Sequence, residues 1–258
     1  MAMRAVCKCC TVIERATSAA PTVIHRDADL LVLYKPAGLP TTSPDGDNCL
    51  ASLARALDPD APRMHASSRL DAEVTGLVTF ARTDRAIAAL TAARRQGKYG
   101  RFYLALASSA PQPERGEWHW EIAKDPRNPR RRVALPAGCG RGAHASSRYE
   151  VLCTLSHAAL LGLRPETGRT HQLRVHAAEA GVALLGDKHY AGPMRVVLAD
   201  GRVLRAPRVM LHCARLTLPG IASSAPLTLE AEVAQDMSEL FAQLGGDPEL
   251  LRGCVASA

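Results

Sequence analysis

Strands and helices succeed one another along this chain without a regular strand–helix–strand alternation, and that irregularity constrains the fold more than any other feature. "TVIHRDADLLVLYKPAGLP" predicts two strands, with Val23 and Ile24, then Leu30 to Tyr34, flanking a polar turn at Arg26 to Asp29. "DNCLASLARALDP" places Leu50, Leu53, Ala54 and Leu57 at helical spacing, with Asp47 or Asn48 as cap and Pro59 as stop. A second helix follows in "TDRAIAALTAARRQGK", capped by Thr83 or Asp84 and closed by Gly97. "RFYLALAS", "SRYEVLCTL", "AALLGLRP", "RVMLHCARLTL" and "LTLEAEV" read as strands, and "TGRTHQLRVHAAEAG" as a short helix from near Thr170 to Gly181. "DMSELFAQLGG" is expected to form the terminal helix, and residues 123 to 147 a loop rich in Pro, Gly and Arg. This succession fits an α+β fold on a mixed, largely antiparallel central sheet.

A chain of 258 residues forms one large domain or one domain in two lobes, and 47% hydrophobic against 22% charged residues is the balance of a compact soluble protein. The net charge of +7 is carried by clustered arginines, which suits a polyanionic partner because guanidinium forks match phosphate geometry. No run of about 20 apolar residues exists to cross a membrane. The opening "MAMRAVCKCCTVIERA" lacks an apolar signal core, so a cytoplasmic setting with free thiols is expected. Cys7, Cys9 and Cys10 stand too close together for an ordinary zinc knuckle, and no second pair follows, so no metal site is expected.

A dinucleotide fingerprint, a P-loop, a nucleophile elbow and an HExxH zinc motif are all absent, which leaves carboxylates and arginines to carry any chemistry. In "SSRLDAEVTGLVTFAR", Arg69 and Asp71 stand at the mouth of an apolar strand, where desolvation would raise the aspartate's pKa unless a cation lies near. In "LRPETGRTHQLRVH", Arg174 sits one turn into a helix on roughly the face of His171, with Gly168, Arg169 and Thr170 at the positive N-terminal end. An aspartate that needs a cation and an arginine presented by a packed helix are natural partners. Spacing alone would favour a surface salt bridge on a solvated, arginine-rich helix. His171 and His176 project about 140° apart on a helix and make no chelate.

Four segments in order resemble the RluA-type pseudouridine synthases over residues 22 to 232: "LLVLYKPAGLP", "SRLDAEVTGLVTFAR" with "RFYLALA", "LRPETGRTHQLRVHAAEAGVALLGDKHY", and "RVMLHCARLTL". The resemblance implies a pseudouridine synthase fold whose lobes flank an RNA-binding cleft. It also implies an enzyme that isomerises a uridine within RNA by breaking the N1 glycosidic bond and rejoining the ring through C5, without cofactor or metal. It puts the catalytic aspartate on Asp71, the tyrosine on Tyr103, the arginine that pairs with the aspartate on Arg174, and the residue that fills the space of the flipped base on Arg69. Arg169, His171 and Lys35 are expected at the RNA, with Lys35 first of all shaping the turn before Pro36 and Gly38. "GDKHYAG", with Asp187, His189 and Tyr190, is expected to be framework beside the site.

The partner would be ribosomal or transfer RNA, bound by a monomer. A non-catalytic RNA-binding protein on the same scaffold is the alternative, and retention of Asp71, Tyr103 and Arg174 together speaks against it. Two departures from the family pattern stand out. Ser68 replaces the histidine that commonly precedes the Arg-Leu-Asp triplet, a change able to alter the grip on the RNA backbone. Residues 1–21 are expected to be an N-terminal tail too short for an S4-type domain, leaving residues 22–258 as the catalytic domain. RNA affinity then falls to "KDPRNPRRRVALPAGCGR", above all Arg130, Arg131 and Arg132. Neutralising those three together is expected to weaken RNA binding and flatten its dependence on salt, read as Kd against ionic strength; an unchanged slope would remove the segment from the interface.

Overall fold

The computed structural model describes residues 20–222 and 225–257, so the expected N-terminal tail with Cys7, Cys9 and Cys10 lies outside the described residues but for its last two. The first half of the chain runs β1 (Thr22–Arg26), β2 (Leu30–Lys35), α1 (Leu50–Leu57), β3 (His65–Ala66), β4 (Thr75–Ala81) and α2 (Asp84–Arg95). Then come β5 (Gly100–Ala107), β6 (Arg115–Asp125), β7 (Asn128–Leu135), β8 (Ala143–Leu155), β9 (Ala158–Pro165) and α3 (Gln172–Glu179). The remainder is β10 (Arg195–Val197), β11 (Val203–Arg205), β12 (Leu211–Leu218), β13 (Leu227–Glu230), α4 (Gln235–Gln243) and α5 (Pro248–Ser257).

An 11-stranded sheet runs in the order β1-β2-β4-β12-β5-β9-β8-β6-β7, with β3 on β4 and β13 on β12, while β10 and β11 form a separate hairpin. The two halves of the sheet meet at β12, which arrives from late in the chain and inserts between β4 and β5. Its pairing with β4 is parallel. Close approach there depends on Gly76, at φ +110°, where a Cβ would sit 2.2 Å from the Cys213 carbonyl oxygen.

Both faces of the sheet are covered at its centre, which is why its central strands read as unbroken apolar runs. Along β5, Tyr103, Ala105 and Ala107 join one core with Leu161 and Leu163 of β9, whereas Phe102, Leu104 and Leu106 join another with Leu160. The period of two assigns alternate residues to opposite faces. The first core takes Leu50 of α1, Leu90 of α2 and Leu173 of α3; the second takes Met237, Leu240 and Phe241 of α4 and Leu251 of α5.

The α+β class and the largely antiparallel sheet agree with expectation, and several local readings need correction. The loop expected over residues 123 to 147 is largely a hairpin, with Ala123 opposite Val133 and Lys124 opposite Arg132. Its prolines and arginines concealed the strand because β7 is an edge, where Pro129 breaks no ladder on its open side. α1 is capped at Cys49 and not at Asp47 or Asn48, with Ser52 Oγ donating to the Cys49 carbonyl at 2.8 Å. α2 does use Thr83, whose Oγ1 accepts from the Ala86 N–H at 3.2 Å. α3 begins two residues later than expected, because His171 turns left-handed at φ 59°. A further helix, α5, follows the one expected to be last.

Two histidines are sealed in this core. Neither ring nitrogen of His176 has a hydrogen-bond partner among the described residues, and its ring lies 5.3 Å from that of Trp120 and 6.3 Å from that of Trp118. Burial pulls His176 from 6.5 down to about 4. Burial likewise pulls His212 down to about 3, while its Nδ1 pairs with Thr75 Oγ1 at 2.8 Å. In the unfolded chain both rings take up a proton that the fold refuses, so stability is whole above pH 6.5 and falls as pH drops toward 4. Urea midpoints are expected to decline over that window, and less steeply in His176→Phe; a parallel decline would free His176 from that role.

Candidate active site

The loop between β3 and β4 carries Arg69 and Asp71, and buried groups fix its backbone on both sides of the aspartate. Thr41 Oγ1 donates to the Leu70 carbonyl at 2.8 Å and accepts the Leu70 N–H at 2.9 Å. Lys35 Nζ donates to the carbonyls of Pro36, Leu39 and Ala72 at 2.8, 2.8 and 2.9 Å. The Gly38 N–H, in a left-handed turn, reaches the same Ala72 carbonyl at 2.8 Å. Ser68 turns its hydroxyl inward to accept the Thr79 N–H at 3.0 Å.

Arg174, on the first turn of α3, meets the loop from the other half of the sheet. Its Nη1 donates to Asp71 Oδ2 at 2.7 Å, while Nε and Nη2 form a fork on Asp187, at 2.7 and 2.8 Å. Arg174 is 3% exposed and Asp187 0%, so the cation is held almost dry between two carboxylates. Burial alone would lower the arginine's pKa, but the Asp187 hydrogen bonds and the charges of Asp71 and Asp187 outweigh it and raise it. Asp187 is placed by a compact turn: Gly186 has φ +77°, and a Cβ on Gly192 would fall 1.9 Å from the Leu184 carbonyl oxygen.

Tyr103, Arg69, Arg169 and His171 line the same recess of about 70 Å³ as Asp71 and Arg174. Burial raises the Tyr103 hydroxyl well above its ordinary pKa, so the ring enters as a neutral phenol. His171 places Nε2 3.7 Å from Asp71 Oδ2 and its Nδ1 2.7 Å from the Tyr190 hydroxyl. The recess opens into a cleft of about 1320 Å³ whose walls include Arg69, Arg94, Arg95, Arg132, Arg148 and Arg169, with Asp71 and Glu166 as acids. Arg148 is tied to Glu117 and Glu166, and Arg169 Nε donates to the His144 carbonyl. The side chains of Arg69 and Arg95 make no hydrogen bond or ion pair among the described residues, and both residues are exposed.

The site thus gathers the expected Asp71, Tyr103, Arg174, Arg69, Arg169 and His171, and it does not gather all the rest. Lys35 is 0% exposed and committed to three carbonyls, so it holds the turn under Asp71 and presents nothing to RNA. On the β7 hairpin, Arg132 reaches the cleft wall, whereas Arg131 lies over the Tyr190 ring at 5.5 Å and Arg130 is exposed outside that wall. Asp187 and Tyr190, read from sequence as framework, are direct neighbours of Arg174 and His171. The pairing of Asp187 with Arg174, 13 positions earlier on α3, was not visible in sequence. Among the described residues no group of three or more His, Cys, Asp or Glu is arranged to hold a metal ion.

A family model described as RNA pseudouridylate synthase matches residues 29–179. The ribosomal large subunit pseudouridine synthase D of Zymomonas mobilis is 32% identical over 232 residues, covering 86% of this chain and 72% of that protein. The dual-specificity RNA pseudouridine synthase RluA of Escherichia coli O6:H1 is 30% identical over 211 residues, covering 81% of this chain and 91% of that protein. The solved human RNA pseudouridylate synthase domain containing 4 shares the fold, with a TM-score of 0.66 at 23% identity over 86% of this chain and 92% of that one. The chain belongs to the RNA pseudouridylate synthase family, and its activity is the isomerisation of uridine in RNA.

Lys35 offers the direct check on how the aspartate loop is held. Burial pulls its ammonium down to about 7, yet the three carbonyls call for the three N–H donors of the charged form. Lys35→Met leaves those carbonyls without a donor and is expected to destabilise the fold by about 3 kcal/mol and to lower turnover. Urea unfolding beside initial rates measures both, and a stable, fully active variant would refute the anchoring role.

Proposed function

We propose that this enzyme modifies uridines in structured ribosomal or transfer RNA in the cytoplasm, with Asp71 as the group that starts the chemistry. The observation that carries this reading is the 2.7 Å bond from Arg174 Nη1 to Asp71 Oδ2, made by an arginine that Asp187 clamps from behind. A carboxylate must be ionised to act as a base, and Arg174 supplies a charge-assisted hydrogen bond to that form in a site mostly closed to water.

A uridine inside RNA has its glycosidic bond shielded by stacking, so the nucleotide must turn outward into the recess. Arg69, exposed and without a partner among the described residues, is suited to fill the vacated stack with its guanidinium plane. Tyr103 offers a ring surface to the extruded base. Asp71 then takes a proton from C2′ of the sugar as the N1–C1′ bond breaks, giving a glycal and a uracil anion. The ring rotates, C5 bonds to C1′, the proton returns to C2′, and the C5 hydrogen leaves as a proton while N1 gains one. The nucleotide's composition is unchanged, and no electrons are exchanged with a partner. Phosphates along the cleft would meet Arg94, Arg95 and Arg132.

Asp71→Asn is expected to cut the rate by about 1000-fold or more while keeping most of the RNA affinity. Release of tritium from RNA labelled at uridine C5 measures the first and filter binding the second; turnover by the variant would overturn the assignment. A pseudouridine map of total ribosomal and transfer RNA from cells with and without the gene names the substrate. Sites that vanish and return only with Asp71 support the reading, and an unchanged map in both RNA classes defeats the substrate assignment.

A further inference from the structure

His171 is a non-glycine residue held in the left-handed region, at φ 59°, and its ring is packed to 14% side-chain exposure against the reactive carboxylate. A strained backbone at such a place invites the question of what the ring does there. Hydrogen-bond counting answers it. The Tyr190 hydroxyl accepts the backbone N–H of Arg132 at 2.9 Å, and its own single proton is therefore available to His171 Nδ1 at 2.7 Å. Burial first, and the charge of Arg174 after the opposing pull of Asp71, keeps the imidazole below its ordinary pKa and hence neutral near pH 7. A neutral imidazole whose Nδ1 accepts must carry its proton on Nε2. Nε2 lies 3.7 Å from Asp71 Oδ2, beyond hydrogen-bond range and on the oxygen already bound by Arg174. Among the described residues no donor reaches Oδ1.

We infer that His171 is a positioning residue: its Nε2–H, fixed by Tyr190, closes onto Asp71 Oδ2 beside Arg174 and leaves Oδ1 as the oxygen that takes the substrate proton. The inference rests on the reading of Asp71 as the base. It also ties the basic β7 hairpin to the chemistry, since the Arg132 N–H holds the Tyr190 hydroxyl that meets His171 Nδ1.

Glutamine and asparagine separate the two ring nitrogens, because a Gln amide nitrogen reaches to about the place of Nε2 and an Asn amide only to that of Nδ1. The left-handed backbone favours Asn, so better function in Gln cannot come from backbone preference. His171→Gln is expected to keep kcat within a few-fold of wild type, and His171→Asn to lose about tenfold or more in kcat at unchanged KM, the rate equivalent of one charge-assisted hydrogen bond. Tyr190→Phe is expected to lower kcat in the wild-type background and to add nothing to His171→Gln, which has no tautomer to set. Equal kcat in the Gln and Asn variants overturns the inference, as does a rise in KM with kcat unchanged, which would make His171 an RNA contact. Tyr190→Phe, assayed alongside with thermal unfolding, decides the matter if either histidine variant folds poorly: full activity overturns the inference, and a fall in kcat alone supports it. Asp71→Asn in the same assay keeps the two levels apart. Activity there sinks the reading of Asp71 itself, whereas an inactive Asp71→Asn with equal histidine variants sinks only the role of His171.

Discussion

A single guanidinium, almost dry between two carboxylates, is the interaction on which the rest of the site depends. An arginine buried without partners would be prohibitively unstable, and Asp187 removes that penalty with a two-point fork. The fork also leaves Nη1 aimed in one direction, at Asp71. The two acids differ in exposure: the Asp187 side chain is sealed at 0%, and that of Asp71 retains 25% at the floor of the cleft. The inner carboxylate is structural and the outer one is accessible to a substrate.

That arrangement spans the whole sheet. Asp71 comes from the loop before β4, Tyr103 from β5 and Arg174 from α3, and β12 sits between the strands that bring them together. The sheet is buried on both faces at its centre and gives such a site a stiff base, because its central strands are held by packing above and below as well as by their ladders. Lys35 and Thr41 extend that stiffness into the loop itself by bonding the backbone immediately around Asp71. Loops that carry chemistry need this kind of support, since small displacements of a reacting group cost rate steeply.

The cleft concentrates positive charge around Asp71. Some of its arginines are spent on internal pairs, as Arg148 is with Glu117 and Glu166, while Arg69 and Arg95 remain open. A net +7 chain therefore presents its field unevenly, with exposed guanidinium groups that have no partner among the described residues where a phosphate backbone would cross the site entrance. The β7 hairpin adds Arg132 to this wall and, through its backbone N–H, reaches Tyr190 and His171.

What the sequence by itself determined was local: strands where apolar runs are punctuated by turn residues, the Thr83 cap, the Gly97 and Gly181 stops, and the ordered motifs that mark Asp71, Tyr103 and Arg174. Propensity and periodicity act within a few residues, so these features are legible without a fold. β7 escaped because an edge strand tolerates the proline and arginines that otherwise signal a loop, and Lys35 misled because a lysine's burial cannot be read from its neighbours in sequence. Only the tertiary structure decided that Asp187 is the second partner of Arg174, that the Tyr190 hydroxyl meets the His171 ring, and that Lys35 faces three carbonyls. Arg174 and Asp71 lie 103 positions apart, and the bond between them exists because β12 inserts between β4 and β5 and draws the two halves of one sheet together.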